Sequence, residues 1–491
     1  YNTAIGYQAM KNTNSAAGSY NTAHGYQALL NNTTGEKNTA IGYQSMFANT
    51  SGEYNAAIGT DSLRANTTGE QNVALGHNSL FNNTFGNGQV AAGYKSLFNN
   101  TTGNYNVGLG AYNLEANVSG SCNVAIGYEA LNCNKADRNV AVGYQVLKEN
   151  TTGTKNVGVG DGALKCNTTG IQNVGVGLSA LQANTSGHSN IAIGVSALNA
   201  NTTGIRNVSI GYTSLRANTT GMDNVAVGNA VMYNNTYGKC NVALGNYALY
   251  QNTIGCQNVA LGRGALSCST TGNDNTAIGT CALKANTTGN QNVAVGLSAL
   301  TANTTGIQNV AIGYNSLCSN TTGRNNVAVG YQTLKNVTKG CYNVALGYAA
   351  LENAVDNSTK NVAIGYLAAQ QFGNSGTGGA NIVAVGTHAG KNITAGNVVV
   401  IGPDAACNSV GGAYSTVVGP FAAQTYTGAS TTVYGAQAGF DLTSGYSNTL
   451  LGKGAGSNVT TGHCNTMIGD STGSNIVGGT NNIVIGKSAQ A

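Results

Sequence analysis

Residues 123–134 read NVAIGYEALNCN, and residues 241–252 read NVALGNYALYQN. Nearly the same line is written from one end of the chain to the other. Its glycine stands at 25, 42, 59, 76, 93, 110 and 127, then at 143, 160, 177, 194, 211, 228, 245, 262, 279, 296, 313, 330 and 347, a spacing of 17 with one 16-residue slip after Gly127. With Gly6 before this series, and Gly365, Gly386, Gly402, Gly419, Gly435, Gly452, Gly469 and Gly486 after it, there are 29 copies. A short fixed period that fills a chain is the mark of a solenoid.

Take that glycine as position zero. Across the first 22 copies position −4 is Asn, except for Gln89, and position −2 is always Ala, Gly or Ser. Position −1 is Ile, Val or Leu except at His24 and Ala92; +4 is Leu or Met in the first 21 copies, and +10 is Gly in most, as at Gly35, Gly52 and Gly69. The alternation of β-branched with small residues is the period-2 pattern of a strand. A helix is disfavoured, because two glycines in every unit would each cost it about 1 kcal/mol relative to Ala, and Asn-Thr-Thr-Gly is turn chemistry. The unit reads as a strand, N-V-A-I-G-Y, a second extended piece around A-L-x-A-N, and a T-T-G turn in which the +10 glycine is expected at positive φ. The fold class is therefore all-β, a parallel β-solenoid of about 29 coils with a 17-residue repeat. Coils stacked about 4.8 Å apart would make a rod of roughly 140 Å.

In such a stack the −4 residues Asn72, Asn106, Asn123, Asn156, Asn173 and Asn241 form a ladder whose amides bond along the axis, or each shapes only its own turn. The repeat glycines include Gly76, Gly110, Gly127, Gly160, Gly177 and Gly245. Aliphatics at −3 and −1 are expected to fill the coil, leaving Ala4, Ala40, Ala74, Gly108 and Ala125 at −2 facing the other way. Those small residues suit close approach by another sheet, and so thin a core invites oligomerisation. Regular repeats run over 1–370, an insertion or loop over 371–380, and a less regular continuation over 381–491.

The motif N-V-A-I-G, with Ala or Ser three residues after the Gly, resembles the head repeats of YadA-like trimeric autotransporter adhesins. It is still more similar to the NTAIGYQAL–NTTG arrays of phage and giant-virus fibre proteins. The likeness is close over residues 1 to about 372 and loose beyond. It implies a left-handed parallel β-roll, three chains side by side as a homotrimer, exposed on a cell surface or virion and used for attachment. The chain departs from the adhesins in its 17-residue unit and in lacking a visible coiled-coil stalk, membrane anchor or C-terminal chaperone domain.

Composition narrows the function. Charged residues are 8% of the chain, against about 25% in an ordinary soluble domain, which leaves little material for catalysis or metal binding. The apolar share of 41% is too high for a disordered tract, so these residues bury something. A formal charge of +5, spread without a Lys/Arg run, gives no nucleic-acid footprint, and no apolar run reaches the roughly 18 residues of a membrane-spanning helix. The chain opens in mid-pattern at Tyr1, without a signal peptide, and is expected to be a processed or partial product.

Candidate chemistry is sparse. The cysteines Cys122, Cys133, Cys166, Cys240, Cys256, Cys268, Cys281, Cys318, Cys341, Cys407 and Cys464 have no C-x-x-C spacing, so no zinc site is expected. Cys240 and Cys256 fall on adjacent copies and are candidates for a bridge; free thiols or an interchain bond are the alternatives. Asn-x-Ser/Thr recurs at Asn32, Asn49, Asn66, Asn100, Asn117, Asn150, Asn167, Asn184, Asn201 and Asn218, as a column of glycosylation acceptors or as plain turn chemistry. Sugars at every coil would crowd at about 4.8 Å, which favours the turn. Thr67 and Thr68 point opposite ways on an extended strand, so an ice-binding face would have to come from Asn66 with Thr68. Tyr128, Tyr144, Tyr314, Tyr331 and Tyr348 form a surface column at +1 that either stacks along the axis or receives glycan or protein. The five His share no register, although His24 replaces a core aliphatic, and the 16 acidic residues are dispersed. No enzyme activity, cofactor or metal is expected.

The expected role is a structural fibre or spike shaft, extracellular, at a cell surface or on a virion, reaching and attaching to a host or surface. One alternative is a head-to-tail filament, since Tyr1 and Ala491 each lie five residues from their glycine and leave open strand edges. Another is a repetitive ice- or glycan-binding rod. Expected partners are copies of the chain, as homotrimer or self-assembled filament, and a surface glycan or receptor; nucleic acid and a membrane span are not expected.

Overall fold

In the computed structural model, which describes residues 1–14, 17–373 and 381–490, the chain is an all-β parallel solenoid. Among these residues there are 29 strands, one for each copy of the repeat, and no helix. They fall in two units. Tyr1–Asn241 holds β1 (Thr3–Ile5) through β14 (Val225–Val227), and Val242–Ala491 holds β15 (Val242–Leu244) through β29 (Ile483–Ile485). Within each unit successive strands pair in parallel with like over like, as Val208, Ser209 and Ile210 pair with Val225, Ala226 and Val227. Of the insertion read at 371–380, residues 374–380 lie outside the described residues.

Register is held by the strands and length variation is taken up in turns. Across the 16-residue slip Val124 still pairs with Val140 and Ala125 with Ala141. The missing residue comes from the turn: Asn134 donates to Ala136 O two residues on, where other copies span three, as Asn66 does to Gly69 O.

The strand faces the opposite way from the sequence reading. In the quoted stretch Ala125 is fully buried, Val124 is half-buried and Ile126 is 36% exposed; Ala243 and Leu244 repeat this at 0% and 40%. The aliphatics at −3 and −1 are therefore outside, and the small residue is inside. The reason is the width of the coil. Ala125 shares its interior with Ala130 and Leu131 from the far side, and with Asn123 and Asn134 at the ends, all buried. One Leu per coil fills the space between two backbones, and only a residue of alanine size fits opposite it. His24, at −1, is accordingly exposed rather than in the core.

The second extended piece expected around A-L-x-A-N is a run of stacked turns. Its positions +2 and +4 are left-handed, with φ of 51° at both Gln145 and Leu147. Between them the backbone folds back by short bonds such as Ala28 N–H to Gly25 O at 3.4 Å and Asn32 N–H to Leu29 O at 3.4 Å. A third left-handed residue lies at +12, for example Lys155 at 59°. Each such residue costs of order 1–3 kcal/mol. Offsetting this, all three N–H groups reach a neighbouring coil: Gln44 to Tyr26 O at 2.9 Å, Met46 to Ser62 O at 3.0 Å and Tyr54 to Glu36 O at 3.1 Å.

Position zero has the conformation only glycine tolerates. Gly76, Gly110, Gly127, Gly160, Gly177 and Gly245 have φ between 116° and 131°. A Cβ on Gly177 would also lie 2.5 Å from Gly194 O in the next coil. The +10 glycine differs from expectation. Its φ is not positive; it is glycine because a Cβ on Gly69 would strike Asn66 Oδ1 and lie 2.6 Å from Gly86 O.

Left-handed backbone also explains the residue choice at +4. Leu and Met serve there through Leu351, and Ala or Gly follow at Ala369, Gly390, Ala406, Ala423, Gly439, Gly456 and Gly473, never a β-branched residue. At Ala369 and Gly390 position −2 stays Ala while buried Phe372 and Ile393 stand at +7; from Ala406 on −2 grows to Val400, Val417, Val433, Leu450 and Met467, all buried. A methyl on Gly456 would fall 2.8 Å from Leu450 Cδ2, so the same volume is filled from the other side of the coil. It follows that Leu198→Met costs less than about 1.5 kcal/mol in equilibrium unfolding, whereas Leu198→Ile adds the left-handed penalty of about 1–3 kcal/mol. Equal losses for the two would contradict this account.

Candidate functional site

Two asparagine columns run inside each coil stack. In the first, Asn72 N–H donates to Asn55 Oδ1 at 2.9 Å, Asn123 N–H to Asn106 Oδ1 at 3.0 Å and Asn156 N–H to Asn139 Oδ1 at 2.9 Å. Asn173 continues it to Asn156 at 3.0 Å, and Asn241 N–H reaches Asn224 Oδ1 at 3.1 Å. Gln89, the one substitution, keeps both functions: its N–H reaches Asn72 Oδ1 at 3.0 Å and its Oε1 accepts from Asn106 N–H at 3.1 Å.

The second column was missed as a ladder. Position +7, read as glycosylation acceptors or turn formers, is buried from Asn32 through Asn218, and Asn66 Nδ2 donates to Asn49 Oδ1 at 2.8 Å. Both columns converge on the +10 carbonyl, where Gly69 O accepts from Asn55 and Asn66 at 2.9 Å each. A buried amide committed to three partners is closed to glycosylation. The recurrence of Asn at +7, broken before Asn320 only at Thr13 and Ser269, was the available signal. This burial also separates Asn66 from Thr68, which is exposed, so the two do not share an ice-binding face. Thr67 Oγ1 is itself used, donating to Thr84 O at 3.0 Å.

The ladders stop where the sequence loosens. Beyond Asn320 position +7 is apolar except at Ser409 and Tyr426, with Val337, Ala354, Phe372, Ile393, Leu442, Val459 and Ile476 buried, and Asn320 Oδ1 accepts no hydrogen bond. The −4 column ends on Ile382 N–H to Asn361 Oδ1 at 3.2 Å, and resumes from Thr431 through Asn448, Asn465 and Asn482.

Outside, the tyrosines stack. Tyr128 and Tyr144 lie 5.6 Å apart with rings 10° from parallel, and Tyr314, Tyr331, Tyr348 and Tyr366 follow at 5.2, 4.9 and 5.2 Å. In such a column each ring covers its neighbour's face, so inner rings offer edges rather than the flat surface a sugar stacks on. Beside them the −3 and −1 aliphatics, among them Ile193, Ile210, Ile278 and Ile312, are uncovered along the strand face of each unit.

Titratable groups are scattered. Glu129 is held below the usual carboxylate range chiefly by a hydrogen bond from Lys148, at 2.7 Å, and also by Gln145. Arg206 grips Asp223 through two bonds of 2.6 and 2.9 Å. All eleven cysteines are free thiols, Cys240 and Cys256 included, and burial pushes Cys133, Cys166 and Cys407 up. Among the described residues no group of three His, Cys, Asp or Glu is placed to hold a metal, and no helix is long and apolar enough to cross a membrane.

No family model matches the chain, and no curated protein matches it. The site with most structure behind it is thus the ladder and the face it supports. Asn190 shows how much one rung carries: its Nδ2 donates to Gly204 O at 2.8 Å and its Oδ1 accepts from Asn207 N–H at 3.0 Å. Asn190→Ala strips the partner from the buried Asn207 N–H and one of two donors from Gly204 O, which keeps Asn201 Nδ2 at 3.1 Å, a loss of about 1–3 kcal/mol. Because a solenoid couples nearest neighbours, hydrogen exchange should quicken in the coils around Gly194 and leave distant coils unchanged. Uniform quickening throughout would count against a local ladder.

Proposed function

We propose that the chain is the shaft of a structural fibre or spike, extracellular, at a cell surface or on a virion, and that it serves reach and attachment as a homotrimer. The solenoid fold is compatible with a fibre, since it repeats one small coil without enclosing a reaction chamber. The observation that carries the reading further is the outward strand face, where −3 and −1 residues, most of them aliphatic, are half-buried or exposed from strand to strand. Soluble monomers rarely leave so long an apolar stripe bare. At about 100 Å² of apolar side chain per coil, the first unit presents on the order of 1,400 Å², well above the ~800 Å² per partner of a standard interface.

The best partner for such a face is another copy. A flat array of aliphatic rows repeating at one strand spacing is matched row for row only by a surface with the same rise, and a coil this thin gains most from shared burial. The reading assigns the chain no catalysis.

Light scattering on the full chain should return three chain masses. Changing Ile193→Lys together with Ile312→Lys places one charge on the strand face of each unit and should release monomers with unchanged far-ultraviolet circular dichroism. A monodisperse monomer from the unaltered chain would overturn the trimer.

A further inference from the structure

The +2 column is interrupted at Gly264, and a notch opens there. In most coils +2 is filled by a side chain such as Gln145 or Gln332; it is glycine only at Gly162, Gly264 and Gly454. At Gly264 no side chain stands over Tyr247, the +2 residue of the preceding coil, whose ring meets Tyr250 edge to face at 5.6 Å, and a Cβ built on Gly264 would meet only Cys281 Sγ at 3.8 Å. The resulting cavity, about 400 Å³, is lined by Tyr247, Arg263, Ser267, Cys281 and Lys284, together with Asn246. Tyr247 is 51% exposed, and Arg263 and Lys284 are exposed. Neither cation pairs with a carboxylate among the described residues, unlike Lys148 or Arg206.

We infer that this notch is a binding site for an acidic saccharide, a sugar carrying a carboxylate or sulfate. The inference deepens the attachment reading and rests on it. Arg263 offers a planar fork of donors suited to a carboxylate or sulfate, and Lys284 adds a second positive charge on the next coil. Tyr247 differs from the stacked tyrosines: where Gly264 removes the overlying side chain, its ring has space for the apolar side of a pyranose. Ser267 supplies a hydroxyl for the sugar's own. Positions +1, +2 and +5 follow the glycine corner, so the notch lies beyond the strand face assigned to trimer contacts.

The missing side chain, not the coil, makes the site. The other +2 glycines are Gly162, which follows Asp161 rather than a cation, and Gly454, where Gln437, Phe440, Lys453, Ser457, Ser471 and Ser474 line a cavity of about 380 Å³. It has one cation and no tyrosine, and the inference is confined to Gly264.

Gly264→Gln is the decisive variant. Gln occupies +2 elsewhere at φ of 48° to 58°, close to the 66° of Gly264, so the notch is filled without altering the coil. The unaltered full chain, titrated with sialyllactose and with a sulfated heparin disaccharide by calorimetry and saturation-transfer NMR, should bind at least one saturably and should not bind lactose. Gly264→Gln and Arg263→Ala/Lys284→Ala should each weaken that binding at least tenfold. Undiminished binding by Gly264→Gln, equal binding of lactose, or no binding of either acidic sugar would overturn the inference. So would inorganic sulfate competing as strongly as the whole sugar, which would mean attraction of an anion alone. Mass measured on the same samples separates the two proposals: a trimer blind to acidic sugars leaves the shaft standing, and a monomer that binds them leaves the notch standing.

Discussion

Each side chain in this protein has, as its nearest neighbour along the axis, its own counterpart one coil away. Parallel pairing in register imposes this, and most of the composition follows. Asn is suited to it because its amide donates on one side and accepts on the other, so a buried column satisfies itself, as from Asn38 through Asn55 to Asn72. Tyr tolerates it because rings stack. Charge tolerates it poorly, since like charges face each other at about 4.8 Å, and a like-charged run is short where it occurs, as at Glu36, Glu53 and Glu70. Charged residues are accordingly few, and pairs run across coils with opposite sign, as Arg206 with Asp223 and Lys335 with Glu352. A low charge content here reflects the stack rather than a buried or membrane setting.

The same constraint reaches the backbone. Stacked corners need glycine at zero, where the next coil's carbonyl stands in the place of a Cβ, and left-handed residues at +2, +4 and +12. The last three are mostly not glycine. Their strain persists because each coil fixes its neighbour through paired amides, and because the side chain at +4 is the main filling of the core. The exchange of Ala with Leu for Leu450 with Gly456, or Met467 with Gly473, shows that the coil conserves volume rather than residue identity. The looser C-terminal sequence is in this sense the same coil, packed from the opposite wall.

A regular stack is also what makes an irregularity informative. Where successive +2 positions carry side chains, the surface is a set of filled rows with little to distinguish one coil from the next. Removing one side chain at Gly264 creates a concavity, and the neighbouring Arg263 and Lys284 give it a sign. Shape from the deletion and charge from the flanking coils are independent, which is why a specific ligand class can be argued from a surface that otherwise repeats. The apolar strand face has the opposite property: it is the same at each coil, and a partner that repeats likewise suits it.

Much of this was legible in the sequence, and the division is physical. A period of 17 with Asn, small residue, aliphatic and Gly at set offsets determined a parallel, in-register coil stack, because only stacking gives every copy the same surroundings. It also marked the −4 asparagine and the zero glycine as positions with axial neighbours. What periodicity does not contain is how the chain crosses the coil. Alternation at −3, −2 and −1 requires one face in and one out without saying which, and the choice depends on the Leu that arrives from the far wall. For that reason the inward Ala125, the second asparagine column, the stacked turns in place of a second strand, and the notch over Tyr247 were decided only when the two walls met.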